Sequence, residues 1–380
     1  MKCLPALDSL DSSILQFIEN KRLGLLTNHT GCEIDGTPAL DVLRRLDLNV
    51  TALFSPEHGP AGNQEGKVLS STFDDLPVYS LYGETRQPTA EMLAGIDVFV
   101  CDLQDVGARF YTYSSTLALA MEACAEHNVA LVVLDRPNPL GGLSVVGPMR
   151  DAAINSFVAH LEIPIIHGMT MGELALLHCA NRNLDLDLQI AKVQDWQREL
   201  LWSQLELPWR VPSPNLPDFA SAAWYPGLCL LEFSGVSVGR GTDAPFQILG
   251  APWMEPSKVL SAMEKWPESH KSTFTAEAHS FIPPRGKWEN DACQGLRFSS
   301  DALPSPENVV RLGMALLATL HQTHPNEFDA AQMQNSLKLL GSSRVLELLK
   351  QNQLEAAVAT ARNDADNFRQ KRQRFLIYNS

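Results

Sequence analysis

No local motif in this sequence has the spacing of a zinc, nucleotide or nucleic-acid site. The seven cysteines, Cys3, Cys32, Cys101, Cys124, Cys179, Cys229 and Cys293, include no Cys-x-x-Cys pair. Their odd number and scattered spacing exclude a zinc ribbon and a disulfide framework, and read as buried thiols of a reducing compartment. No Gly-x-Gly-x-x-Gly follows the first apolar segment, so a dinucleotide is unsupported. Gly62-Asn63-Gln64-Glu65-Gly66-Lys67-Val68 has the wrong spacing for a P-loop, lacks the Ser/Thr and opens no clear helix. No His-Glu-x-x-His or Gly-x-Ser-x-Gly occurs. No local spacing supports a metal site, so neither metal nor cofactor is expected.

Lysine and arginine form no run, and the formal net charge is −14. Phosphate neutralisation needs clustered cations, which argues against nucleic acid as a partner. The negative field favours neutral substrates and solubility. No stretch of about 18 apolar residues exists, so no membrane span is expected. Asp8 and Asp11 interrupt any apolar leader region, and cytoplasmic residence is the expectation. No repeat or low-complexity segment stands out, and nothing specifies an oligomeric state.

What is present is a folded chain. Of 380 residues, 45% are hydrophobic and 19% charged, enough for about two domains. Apolar runs at Leu23–Thr27, Val50–Phe54, Ile96–Cys101 and Val129–Leu134 read as strands, with a shorter one at Leu76–Tyr79. Between them Pro38–Leu46 and Ser114–His127 read as helices, and Thr89 as the N-cap of a brief helix through Leu93. Continuous apolar strands separated by helices imply a parallel sheet covered on both faces, a doubly wound α/β domain. Thr170-Met171-Gly172-Glu173 has the capping-box pattern of a helix running to about Cys179, and Leu186–Val193 reads as a further strand. From about residue 245 the texture changes. Helices are predicted over Pro256–Lys265, Pro306–Thr323 and Ser343–Lys350, strands at Ser272–Phe281 and Gly295–Phe298, and a helical tail over Gln353–Phe375. The expected division is therefore residues 1–245 and a smaller α+β domain at 246–380.

In open α/β sheets ligands bind at the carboxyl ends of the strands. Four predicted strands run there into polar clusters: Thr27-Asn28-His29-Thr30-Gly31, Ser55-Pro56-Glu57-His58-Gly59, Asp102-Leu103-Gln104-Asp105-Val106-Gly107 with Arg109, Tyr111 and Tyr113, and Asp135-Arg136-Pro137-Asn138-Pro139. Turn formation alone explains the Asn, Asp, Gly and Pro. It does not require Glu, His, Gln, Arg and two Tyr, which are the donors, acceptors and stacking surfaces of a sugar pocket. Glu57 is the sharpest candidate. Partly buried at a strand end, its carboxyl would have a raised pKa and act as a general acid. His58 orients it or binds substrate. Asp102 and Asp105 are the candidate second carboxylates, Asp105 being equally suited to an ion pair with Arg109. His167, before the Thr170 helix, Asn215 in Pro212-Ser213-Pro214-Asn215-Leu216-Pro217, and Arg240 in Gly239-Arg240-Gly241-Thr242-Asp243 complete the candidates. For Arg240 a structural pairing with Asp243 is the alternative.

These segments, with Ser80-Leu81-Tyr82-Gly83 and His167-Gly168-Met169-Thr170-Met171-Gly172-Glu173, resemble the exo-β-N-acetylmuramidase family across nearly the whole chain. The resemblance implies a Rossmann-like domain, a smaller C-terminal domain and an active site in the cleft between them. It implies release of N-acetylmuramic acid from the non-reducing end of peptidoglycan fragments, so that the partner is a sugar or muropeptide. The family's proposed catalytic glutamate falls on Glu57. Two arginines usual in the family are here Ala61 and Ile166, and a usual Thr-Asn is Ser234-Gly235. The lactyl carboxylate of N-acetylmuramic acid would suit arginine, so another β-hexosaminide remains an open substrate. A sugar-binding protein without catalysis is the other open reading. With no export signal visible, recycling of imported fragments is the expected setting.

Overall fold

The structure, a computed structural model, describes residues 3–64, 66–266 and 274–379. The first lobe holds strands β1 (Arg22–Thr27), β2 (Asn49–Ser55), β3 (Ser71–Phe73), β4 (Leu76–Ser80), β5 (Val98–Asp102), β6 (Ala130–Leu134) and β7 (Leu188–Ala191). They form one seven-stranded sheet in the order β3-β4-β2-β1-β5-β6-β7. Every pairing is parallel except that of β3 with β4, at the edge. All five residues of β5 are buried, as a strand with helices on both faces must be, whereas β3 is exposed throughout. The sequence order turns back between β1 and β5, and crevices for ligands open at such a switch point.

The covering helices include Ala39–Arg45, Tyr113–Glu126 and Met171–Arg182. Thr170 and Glu173 form the expected capping box, each side chain accepting from the other's backbone N–H. The helix they start runs to Arg182 rather than Cys179 and ends on left-handed Asn183.

The second lobe is a three-stranded antiparallel sheet, β8 (Ile248–Ala251), β10 (Cys293–Ser299) and β9 (Thr275–Phe281), in that spatial order. Ser272 and Thr273 of the predicted strand lie outside the described residues. The predicted helices Pro306–Thr323 and Ser343–Lys350 form with those bounds, and Leu354–Arg372 makes the tail. The Pro306–Thr323 helix is the centre of this lobe, buried without break from Leu312 to Leu320. Against it lies Phe219–Leu228, a helix not expected from the sequence. A Cβ on Gly227 would stand 2.0 Å from the Val309 carbonyl oxygen, and one on Gly313 2.2 Å from that of Gly227. Only glycine at both positions permits this crossing.

Several hydrogen bonds join the lobes. Arg109, after β5, donates to the carbonyls of Pro148 and Ile163 and to those of Leu339 and Leu340 in the second lobe. The C-terminal tail returns to the first sheet, where the Tyr378 hydroxyl donates to Asp135 at 2.6 Å. No described helix is long and apolar enough to cross a membrane.

Candidate active site

Glu57 sits on a turn that its neighbours force into an unusual shape. His58 and Gly59 are both left-handed, with φ of 71° and 72°. For a histidine that conformation costs energy and needs support. Support comes from the ring itself, whose Nδ1 meets the Gln64 carbonyl at 2.8 Å. The chain is thereby folded back, and the half-buried Glu57 side chain faces a cavity of about 180 Å³.

One carboxylate oxygen of Glu57 accepts from the Thr112 hydroxyl at 2.5 Å. Thr112 directly precedes the Tyr113–Glu126 helix, so a fixed helix end fixes the acid. Tyr82 also reaches Glu57. Burial, then the nearby Glu57 charge, pushes the Tyr82 phenol up to about 12, so it stays a neutral donor. The cavity walls are aromatic, with Tyr82, Phe110, Tyr111, Tyr225, Phe233 and Phe246. Its polar groups, besides Glu57 and His58, are Thr112, Ser213, Asn215, Glu232 and Arg240. The first lobe supplies Glu57 and the second supplies Phe246 and Leu339, so the cavity lies between them.

Glu232, like Thr112 and Tyr82, is not among the candidates read from the sequence. It follows the Phe219–Leu228 helix and shares the cavity with Glu57. Arg240 donates to its Oε1 at 2.5 Å, and the Cys229 thiol to its Oε2 at 3.2 Å. Arg240 is thus paired with Glu232 rather than with Asp243, which meets Arg297 at 3.7 Å. The Asn215 side-chain oxygen accepts from the Gly241 N–H, tying the two loops that carry Asn215 and Arg240.

Of the residues singled out in the sequence, Glu57, His58, Tyr111, Asn215 and Arg240 line the cavity. The others do not. Asn28 stands behind it, donating to the Tyr113 hydroxyl at 2.6 Å and accepting from Thr30. The buried Tyr113 hydroxyl is shared with the backbone oxygens of Glu57 and Pro212, so both act as props for the acid's turn. Asp102 is no second carboxylate of the cavity. It is fully buried, and Arg136 occupies both its oxygens at 2.5 and 2.9 Å. Gln104 donates to the carbonyls of Asp105 and Pro137, and Asn138 to that of Met169. Asp105 accepts from the Gly107 N–H and faces buried His167 at 3.5 Å, not Arg109. Among the described residues Arg109 has only carbonyl hydrogen-bond partners, and burial pushes its pKa down to about 9. These side chains turn inward and the fold uses most of their hydrogen bonds, although Asp105 Oδ1, Arg109 Nε and His167 Nε2 are buried without a hydrogen-bond partner among the described residues. Ile166, where the family resemblance would place arginine, is also fully buried and bridges to Ala108 and Val146, so that departure leaves the cavity wall untouched.

A cavity with a positioned carboxyl, a second carboxylate and ring-sized aromatic walls has the parts for cleaving a glycosidic bond. Glycoside hydrolase is the class in which comparison with known proteins puts the chain. It belongs to the exo-beta-N-acetylmuramidase NamZ family, whose N-terminal description matches residues 23–220 and whose C-terminal description matches residues 223–378. It is 35% identical over 383 residues to the peptidoglycan beta-N-acetylmuramidase NamZ of Bacillus subtilis (strain 168), covering 99% of this chain and 92% of that protein. Two crystal structures of DUF1343 family proteins from Bacteroides fragilis share the fold. One has a TM-score of 0.88 at 32% identity, covering 99% of each chain, and the other a TM-score of 0.79 at 29% identity, covering 100% of each.

Proposed function

We propose that this chain removes N-acetylmuramic acid from the non-reducing end of peptidoglycan fragments, with Glu57 as the general acid that protonates the leaving oxygen. One observation carries the reading: Glu57 and Glu232 face a single cavity of about 180 Å³ bounded by aromatic rings. That volume is small beside the ~300–1,000 Å³ of drug-sized sites, which suits one sugar ring rather than an extended glycan. Single-ring binding is what exo action requires. The Thr112 hydroxyl occupies one oxygen of Glu57 and orients the other. Glu232, charge-paired by Arg240, supplies negative charge for an oxocarbenium-like transition state. Tyr111 and Tyr225 offer stacking faces, and Ser213 and Asn215 offer hydrogen bonds.

The test is turnover of a chromogenic N-acetylmuramide beside the matching N-acetylglucosaminide, by the wild type and by Glu57→Gln. The muramide should be the better substrate, and the variant should lose about 10²-fold or more in kcat. Cleavage of neither sugar would sink the hydrolase reading for this chain. Full activity in Glu57→Gln would leave the hydrolase and remove its acid.

A further inference from the structure

A second group of side chains with chemistry to spare sits on the Tyr113–Glu126 helix, ten residues or about 15 Å along from Thr112. There Glu122 Oε1 meets His160 Nε2 at 3.1 Å and His178 Nε2 at 3.0 Å. None of the three lines the sugar cavity. We propose that Glu122, His160 and His178 form a site for one borderline first-row divalent cation, of the class of Zn²⁺, Ni²⁺ and Co²⁺.

The geometry is close to that of a coordination shell. Metal–ligand bonds of about 2.0–2.2 Å put neighbouring ligand atoms of a tetrahedron roughly 3.3–3.5 Å apart. Two of the three ligand edges are within a few tenths of an ångström of that, and all three ligand atoms lie within 4.8 Å of one another. Two imidazole nitrogens and one carboxylate oxygen suit borderline cations, whereas Mg²⁺ and Ca²⁺ prefer oxygen alone. The ligands come from two packed helices and one loop, and His178 is buried between them. Among the described residues this is the one such group of three. Separations of 38 and 18 positions along the chain hide it from any spacing motif.

Arg182 approaches the same Glu122 oxygen at 3.4 Å, with a half-exposed side chain free to swing into water. A bound cation displaces it. The occupied site also reaches the sugar cavity, because His160 directly follows the Phe157–Ala159 turn. Val158 of that turn lines the cavity, and Phe157 packs against Tyr82 with Arg86 over its ring. The cation therefore pins one cavity wall to the helix that holds Thr112.

The experiment is calorimetric titration of metal-stripped, tag-free, full-length protein with Zn²⁺, followed by visible absorption of the Co²⁺ form. One cation per chain is expected, with Co²⁺ bands of nitrogen and oxygen ligation and no thiolate charge-transfer band. His160→Gln, at a partly exposed ligand, should weaken binding at least about tenfold. Arg182→Gln should tighten it, since a competing cation is gone, and His127→Gln on the exposed helix end should change nothing. No saturable binding, binding unaffected by His160→Gln, or a thiolate band would each overturn the site. Because the readout is binding, its failure is separate from any failure of sugar cleavage.

Discussion

Glu57 follows β2 and Asp102 closes β5, on the same edge of one sheet with only β1 between them. Glu57 is half buried, is held by the Thr112 hydroxyl with the Tyr82 phenol beside it, and faces a cavity. Asp102 has no exposed surface, and both its oxygens are taken by Arg136. A carboxylate shut away from solvent with an arginine on both oxygens has nothing to offer a substrate. One that faces a cavity, held by neutral hydroxyls rather than by a cation, can give or take a proton. Proximity to the switch point brings both to the same edge, and free hydrogen-bonding capacity separates chemistry from scaffolding.

The largest expected effect lies on the scaffolding side. Asp102→Asn leaves the Arg136 guanidinium buried without its charge partner. Breaking such a pair costs roughly 3–5 kcal/mol, to be read from chemical unfolding. Molecules still folded should keep their kcat within about twofold, since Asp102 touches no substrate. Glu57→Gln should show the reverse pattern, with unfolding free energy within about 0.5 kcal/mol of wild type and kcat lower by about 10²-fold or more, close to 2.7 kcal/mol of barrier. If the two variants exchange these signatures, the division between cavity and scaffold is wrong.

Thr112→Val comes next. It keeps the side-chain shape and removes the donor to Glu57 Oε2. Tyr82 still touches the acid, so the expected loss is about tenfold in kcat, roughly 1.4 kcal/mol, with KM little changed. A large rise in KM at constant kcat would make Thr112 a substrate-binding group instead of a support for the acid.

The sequence showed which residues end the strands but not which way they face. Apolar runs and the Thr170–Glu173 capping box are local signals, and the structure contains the sheet and helix they predict. The facing of Asp102 depends on Arg136, 34 positions away, and that of Glu173 on Arg198, 25 positions away. No periodicity encodes such pairings. Glu232 stayed hidden for a different reason. The helix before it, Phe219–Leu228, is buried on nearly all sides and contains Pro226, so it has neither a polar face nor an uninterrupted pattern. The cavity's second carboxylate sits just beyond the element hardest to read.

Asp135 gives the subtlest test of the same contrast, because it lies wholly on the buried side yet titrates in a measurable range. It closes the turn after β6 and accepts from the Thr170 hydroxyl, the Tyr378 hydroxyl, and the Gly172 and Arg136 N–H groups. Burial outweighs the hydrogen bonds that oppose it and pushes the Asp135 carboxyl up to about 6. An acid with a raised folded-state pKa binds its proton more tightly in the folded chain than in the unfolded one. Its contribution therefore favours folding least above pH 6 and most below about 4, where both states are protonated. Stability from this group falls as pH rises between those limits, by less than about 1.4 kcal/mol per pH unit. Asparagine resembles the protonated acid: its Nδ2 can donate where the carboxyl proton would. The difference in unfolding free energy between wild type and Asp135→Asn should thus shift steadily against the wild type from pH 4.5 to 6.5. A difference that stays flat over that range would mean that Asp135 remains ionised in its buried site. The hydrogen bonds from Thr170, Tyr378 and Gly172 would then outweigh its burial, and the scaffold would tolerate a charge that Asp102 keeps only with Arg136 beside it.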